Sequence, residues 1–322
     1  MAWAGRIGLW TLALVALACF GSLPWTLARV DGGTGAPIRR YEASNLSLSL
    51  LPPSWWAKAP LRTAATASSV DQYEPTLVLG TDAFGRDVLA RCLLGGAISL
   101  LVGLSAAAVT VVLGTLYGAV SASAGGRTDA LMMRLVDIIF GLPSILLVVL
   151  LAVAFEGLAE RLEWHPGDAG LRLTNVLLLL LTIGGVSWLT MARVIRGQVL
   201  SLRQQPFMEA CRAMGASPWR QFRLHLLPNI AGPVIVYATL AVPAAILSES
   251  FLSYLGIGIR EPLPSWGNLA ADGLGELNMV VGRWWLLLWP CLMIALTLVA
   301  LNLLGDELRQ RLDPLRSRTA GC

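Results

Sequence analysis

"PFMEACRAMGASPWRQFRLHLLPN", Pro206 to Asn229, is a basic stretch with two helix-start signals around a glycine, set between two long apolar runs. Pro206 suits a first helical position, where its missing N–H has no partner to lose. Glu209 then falls in the first turn, where the helix dipole favours negative charge. Gly215 ends that helix, because glycine accepts the left-handed conformation of a C-terminal cap. Ser217-Pro218 starts another as cap and first residue, and Pro228 ends it. The spacing predicts two short helices joined by a tight glycine turn. A solvated loop of this length needs no such pair, so the segment reads as a docking element.

The flanking runs are of membrane length. The chain is 56% hydrophobic and 14% charged, whereas soluble domains carry about 25% charged residues. A soluble fold of this composition would present large apolar patches to water. A helix needs about 20 mostly apolar residues to cross a hydrocarbon core of about 30 Å. Six stretches qualify: Ile7 to Trp25, Ile98 to Ala122, Met132 to Phe155, Asn175 to Ile195, Ile230 to Leu255 and Trp284 to Leu304. The fold class is therefore an all-α membrane protein. No solenoid-length repeat or low-complexity tract interrupts it.

Charge sets the orientation. Arg193, Arg196, Arg203, Arg212, Arg220 and Arg223 crowd the connection after the fourth span, with Glu209 alone opposing them, while the connection from Glu156 to Arg172 is acid-rich. Arginine-heavy short loops stay on the cytoplasmic side. That places Pro206 to Asn229 in the cytoplasm, and six spans put both termini there as well. The net charge of +4 is thus topological and implies no nucleic acid. Arg6 followed by an apolar run also fits a secretory signal, but "SLPW" offers no small-x-small cleavage site, so an uncleaved first span is favoured. Cys19, Cys92, Cys211, Cys291 and Cys322 lack metal-ligand spacing and read as small packing residues.

The chain divides into a first transmembrane helix (1–28), an external segment (29–95), a five-helix core (96–305) and a cytoplasmic tail (306–322). In the external segment, Thr81 or Asp82 can cap a helix in which Val88, Leu89, Cys92 and Leu93 recur at helical spacing. Asp82, Arg86, Asp87 and Arg91 fill its other face, which predicts an amphipathic helix on the outer surface.

Among charged groups in the spans, Asp137 has Arg134 three residues earlier on one helical face, and the two predict a structural ion pair. Gly141 and Pro143 kink that helix. Glu249, near the outer end of the fifth span, either lines a pore or gate or anchors the outward loop; anchoring is favoured. Pro233 and Pro243 let the same helix bend. Trp284, Trp285 and Trp289 read as an interfacial belt. His225 is a polar residue of the docking element and His165 an exposed loop residue; neither makes a metal site. There is no nucleophile elbow, no metal-ligand cluster and no G-x-x-x-x-G-K-[ST] phosphate loop.

Glu209-Ala210-Cys211, Gly215 and His225-Leu226-Leu227-Pro228 together resemble the EAA motif of bacterial ABC importer permeases, E-A-A, three residues, G, nine residues, I-x-L-P. Cys211 is a small-for-small departure. His225 stands where the general motif has isoleucine, as in the peptide and nickel branch. "LGTDAFGRDVLAR", "LSYLGIG", "PLPSWGN" and "NLLGDELRQRLDP" are also similar to the second permease of that branch, the dipeptide/oligopeptide permease C type. The resemblance covers Leu79 to Pro314. It implies a type I ABC importer permease fold and an inner-membrane, non-catalytic subunit forming half of a translocation pore for peptides. Glu209, Ala210, Cys211, Gly215, Ala216, Pro218, Leu227 and Pro228 are then the ATPase-coupling residues. The implied partners are a second homologous permease, two ABC ATPases, an external solute-binding protein and the lipid bilayer. This chain holds no cofactor; ATP and magnesium belong to the ATPases. A nickel-chelate permease of the same branch is the alternative, and a secondary transporter, channel or membrane-embedded hydrolase the rival from another class.

Overall fold

A computed structural model describes residues 3–31, 37–56, 75–161, 168–277 and 282–312. The helices in chain order are α1 (Trp3–Gly21), α2 (Leu23–Thr26), α3 (Val88–Ala124), α4 (Gly126–Phe140), α5 (Ser144–Arg161), α6 (Asp168–Arg203), α7 (Pro206–Ala213), α8 (Pro218–Gln221), α9 (Leu227–Tyr254), α10 (Trp266–Gly275) and α11 (Trp284–Leu312). The strands β1 (Arg29–Asp31) and β2 (Pro37–Arg39) pair antiparallel outside the bundle. His165 and Cys322 lie outside the described residues.

Among the described residues, five helices are long and apolar enough to span a membrane, and α4 with α5, bent by 90° at their junction, pass the same test together. The third span is thus a broken pair rather than one kinked helix. Pro143 disfavours helical geometry at Leu142 and supplies no N–H, so the α4 ladder stops at Phe140 and a new one starts at Ser144.

Small residues let the helices approach, as membrane packing requires. A Cβ on Gly103 of α3 would lie 2.3 Å from Ile246 of α9, and one on Gly118 would lie 2.3 Å from the Ala192 carbonyl of α6. Around these contacts Val102, Ala106, Ile183, Val186, Ala245 and Leu252 form the main apolar core. Leu104, Leu131, Ile138, Leu146 and Leu150 face outward, as residues in contact with lipid or another subunit do.

The outer side departs from the expected amphipathic helix. Residues 81–87 form a turn, and α3 begins at Val88 with Asp87 as its N-cap, accepting from the Leu89 and Ala90 N–H groups at 2.9 and 3.4 Å. Arg86 and Arg91 do not face solvent. Both are buried, and both reach Glu261 in the loop between α9 and α10, at 3.1 and 3.0 Å; Arg86 also bonds Asp82 at 2.6 Å. Burial opposes the charge on Glu261. Hydrogen bonding from Arg86 and the positive charges of Arg91 and Arg86 outweigh it, and hold its pKa below the usual carboxylate range. An exposed helix face would leave these arginines hydrated; the fold trades water for opposite charge.

The tryptophans are likewise more than a belt. Trp55 of the external segment meets Trp284 and Trp289 edge-on at 6.3 and 6.2 Å, while Trp285 is buried against Val88, Cys92 and Leu269.

Candidate functional site

The helices of Pro206 to Asn229 are packed from one side and open on the other. Met208 and Cys211 of α7 are buried, and Met208 packs in a cluster with Ile195, Val199, Leu226 and Ile230. Phe207, Met214, Trp219 and Leu224 of the same segment are exposed, Trp219 and Met214 the most, at 69% and 78%. Trp219 stacks on Phe222 at 5.8 Å. Glu209, Ala210, Gly215, Pro218, Leu227 and Pro228 are also exposed, Ala216 is half-buried, and Cys211 alone among the residues expected to meet an ATPase turns inward.

Gly215 has φ +75°. Its N–H donates to Arg212 O and the Ala216 N–H to Cys211 O, at 2.9 and 3.1 Å, the paired bonds of a glycine C-cap. Ser217 then caps α8, accepting the Arg220 N–H at 3.3 Å. Two arginines fasten the segment to the bundle. The Arg203 guanidinium donates to the Ala122 and Ser123 carbonyls at the end of α3, and Arg212 donates to the Arg203 carbonyl at 3.1 Å.

Pro228 does not end the second helix. A π-helical turn, Phe222–Leu226, carries the chain from α8 directly into α9, with the Leu227 N–H reaching back to Phe222 O. Pro228 lies in the first turn of α9. The wider turn leaves room for a ring that would clash with the preceding turn of a regular helix. His225 is part of this turn, and its carbonyl accepts from Asn229 at 2.6 Å.

Asp137 pairs with Arg193 of α6 at 2.8 Å, not with Arg134, and the same guanidinium covers the Phe140 ring at 3.8 Å. Arg before Asp is the poorer order for a helical pair, and α6 brings a better-placed partner. A tighter pair lies one turn further along α6. Arg196 grips buried Asp129 through two hydrogen bonds of 2.6 and 2.5 Å, and Ser121 donates a third at 2.5 Å. These bonds clamp α4 onto α6 and α3. The sequence carries arginine clustering as its only signal, because the partners are 67 residues apart.

Between α4, α5, α6 and α9 opens a cavity of about 840 Å³, lined by apolar side chains and by the hydroxyls of Thr110, Ser144, Ser187, Thr190, Tyr237 and Ser248. No acidic or basic side chain among the described residues lines it. Leu247, Ser248 and Phe251 face it, but Glu249 does not: it is fully buried and accepts from Ser253 at 2.8 Å. No group of three or more His, Cys, Asp or Glu among the described residues could hold a metal ion.

The family model of the binding-protein-dependent transport system inner membrane component matches residues 92–318. The oligopeptide transport system permease protein OppC of Escherichia coli K12 is 45% identical over 78% of this chain and 76% of its own. Its Haemophilus influenzae counterpart is 44% identical over 73% and 69%. The dipeptide transport system permease protein DppC of Bacillus subtilis is 43% identical over 73% and 68%. Among solved structures, the MetNI methionine ABC transporter in an inward-facing conformation superposes with a TM-score of 0.51, at 17% identity, over 68% of this chain and 94% of the matched one, a likeness of fold. The helical spans, the bent pair and the buttressed helices of Pro206 to Asn229 belong together: the chain is a multi-pass membrane permease of the binding-protein-dependent transport system inner membrane component family.

Proposed function

We propose that this chain forms half of the pore of an ATP-driven peptide importer. A second permease of the same kind completes the pore, two separate ABC ATPases dock on Pro206 to Asn229, and an external solute-binding protein delivers the peptide. ATP and magnesium are held by the ATPases, and the chain itself carries out no catalysis. Both termini lie in the cytoplasm, as the arginine distribution requires.

The observation that carries the reading is the two-sided cytoplasmic segment. Its inner face is locked by Met208, Cys211 and Leu226, and its outer face offers Phe207, Met214, Trp219 and Leu224 to a partner. Exposed aromatic and methionine anchors beside a polar rim are what a protein partner buries. The neutral, hydroxyl-bearing cavity suits cargo whose side chains vary, and the similar permeases are named for oligopeptides and dipeptides. Reconstitution of the full complex into liposomes tests it. Labelled peptide should accumulate when ATP is supplied on the ATPase side and loaded binding protein on the other. Proton-driven uptake by this chain alone would make it a secondary transporter and overturn the proposal.

A further inference from the structure

Glu249 is 0% exposed, and every hydrogen bond to its carboxyl among the described residues comes from a serine. Ser253 and Ser250 of its own helix donate at 2.8 and 3.4 Å. Ser99 of α3 and Ser265 at the start of α10 lie beside it. Three of these serines accept a main-chain N–H. Ser253 Oγ accepts the Ile259 N–H at 3.1 Å, Ser99 Oγ accepts the Trp266 N–H at 3.2 Å, and Ser265 Oγ accepts the Asn268 N–H at 3.2 Å.

A hydroxyl has one proton to give. Ser253, its oxygen taken by the Ile259 N–H, gives that proton to Glu249. This relay runs from the loop backbone to the serine oxygen and from the serine proton to the carboxyl.

The loop also rests on the backbone of α9. A Cβ on Gly258 would come within 2.2 Å of Ser253 Oγ, and one on Gly267 within 2.3 Å of the Ser250 carbonyl. Further out, Glu261 of the same loop holds Arg86 and Arg91, and the Trp266 indole donates to Cys92 O at 3.0 Å. The loop thus has an ionic anchor in the external segment and a hydroxyl anchor in the membrane.

We infer that Glu249 is a positioning residue, a hub that through Ser253 sets the register of residues 255–268 and, through them, the outer surface on which the binding protein signals. The signalling half rests on the importer reading; the hub does not. The test uses the assembled four-subunit complex in nanodiscs carrying Glu249→Gln, an isostere whose amide brings donors to hydroxyls already committed. Amide exchange at Ile259 should accelerate about tenfold, the weakening of one hydrogen bond, while exchange over 206–229 and basal ATP hydrolysis stay unchanged. Stimulation of hydrolysis by loaded binding protein should fall several-fold. Unchanged exchange would overturn the hub. Faster exchange with full stimulation would overturn its signalling role and leave the importer reading intact. Absence of stimulation in the wild-type complex, with exchange altered by Glu249→Gln, would overturn the importer reading and leave the hub. Should Glu249→Gln prevent assembly, Ser253→Ala reads the same bonds: faster exchange at Ile259 supports the hub and no change sinks it.

Discussion

Gly215 shows how much can rest on one backbone angle. Nothing lies within 4 Å of where its Cβ would be, so a side chain meets no obstacle there, and only the φ of +75° demands glycine. Forcing a β-branched residue into that conformation costs roughly 1–2 kcal/mol, too little to unfold the bundle and enough to redirect the turn. Gly215→Val should leave membrane abundance and permease pairing intact while ATP hydrolysis stops responding to loaded binding protein; Gly215→Asn, which tolerates the left-handed region better, should retain part of the response. The two aspartates of α4 offer a contrast in burial. Asp129 is held by Arg196 and Ser121 in a buried setting, and Asp129→Ala should cost about 1.5–3 kcal/mol, the value of losing bonds to a charged group. Asp137 is 65% exposed at its side chain, and Asp137→Ala should cost about 0–1 kcal/mol. Thermal melts of the purified variants in detergent give the ranking directly, and equal losses would count against the Asp129 clamp.

Much of the element scale is legible in the amino-acid sequence. The positions of five spans, the glycine cap and the Ser217 cap follow from local chemistry that acts within a few residues, and the structure shows them; the expected third span is the one that breaks. What the sequence hides depends on distance or on backbone geometry. Asp82, Arg86 and Arg91 look like one polar helix face because the sequence does not show Glu261 approaching the arginines from 170 or more residues away. Asp137 reads as paired within its own helix for the same reason. Pro228 reads as a stop because the π turn before it has no distinguishing composition. That turn adds a residue relative to regular helix, which amounts to about 100° of rotation at 3.6 residues per turn. Deleting Leu224 should restore regular helix and swing Trp219 and Gln221 around by that angle. The variant should insert normally yet lose stimulated ATP hydrolysis, and a fully responsive deletion would show that the turn's geometry is incidental.

For the whole molecule, orientation and the external anchor yield the clearest tests. Ser44 lies exposed in the segment between α2 and α3, and Gln204 exposed beside α7. In a background without native cysteines, a membrane-impermeant thiol reagent added to sealed cells should modify Ser44→Cys and spare Gln204→Cys; the reverse would invert the topology. The ion cluster gives a pH dependence of definite sign. The folded pKa of Glu261 is held below its ordinary value, so its contribution is complete above the unfolded carboxylate pKa, about 4.3, and fades as pH falls through the folded value. The melting difference between wild type and Glu261→Gln should be present at pH 7 and vanish at strongly acidic pH.

From Pro218 to Tyr254 the chain is helix without interruption, 37 residues, or about 55 Å at 1.5 Å per residue. Its inner end carries Trp219 and its outer end carries Glu249 and Ser253. Connections on either side can gain or lose residues at little cost, since loop closure depends only weakly on length. The count of residues between Phe222 and Ser253 has no such freedom: each one added or removed turns the cytoplasmic and external ends out of step with each other. On the docking role proposed for Pro206 to Asn229, length itself is under constraint in this stretch, and grafting the segment onto another permease should succeed only where that angular parity is kept.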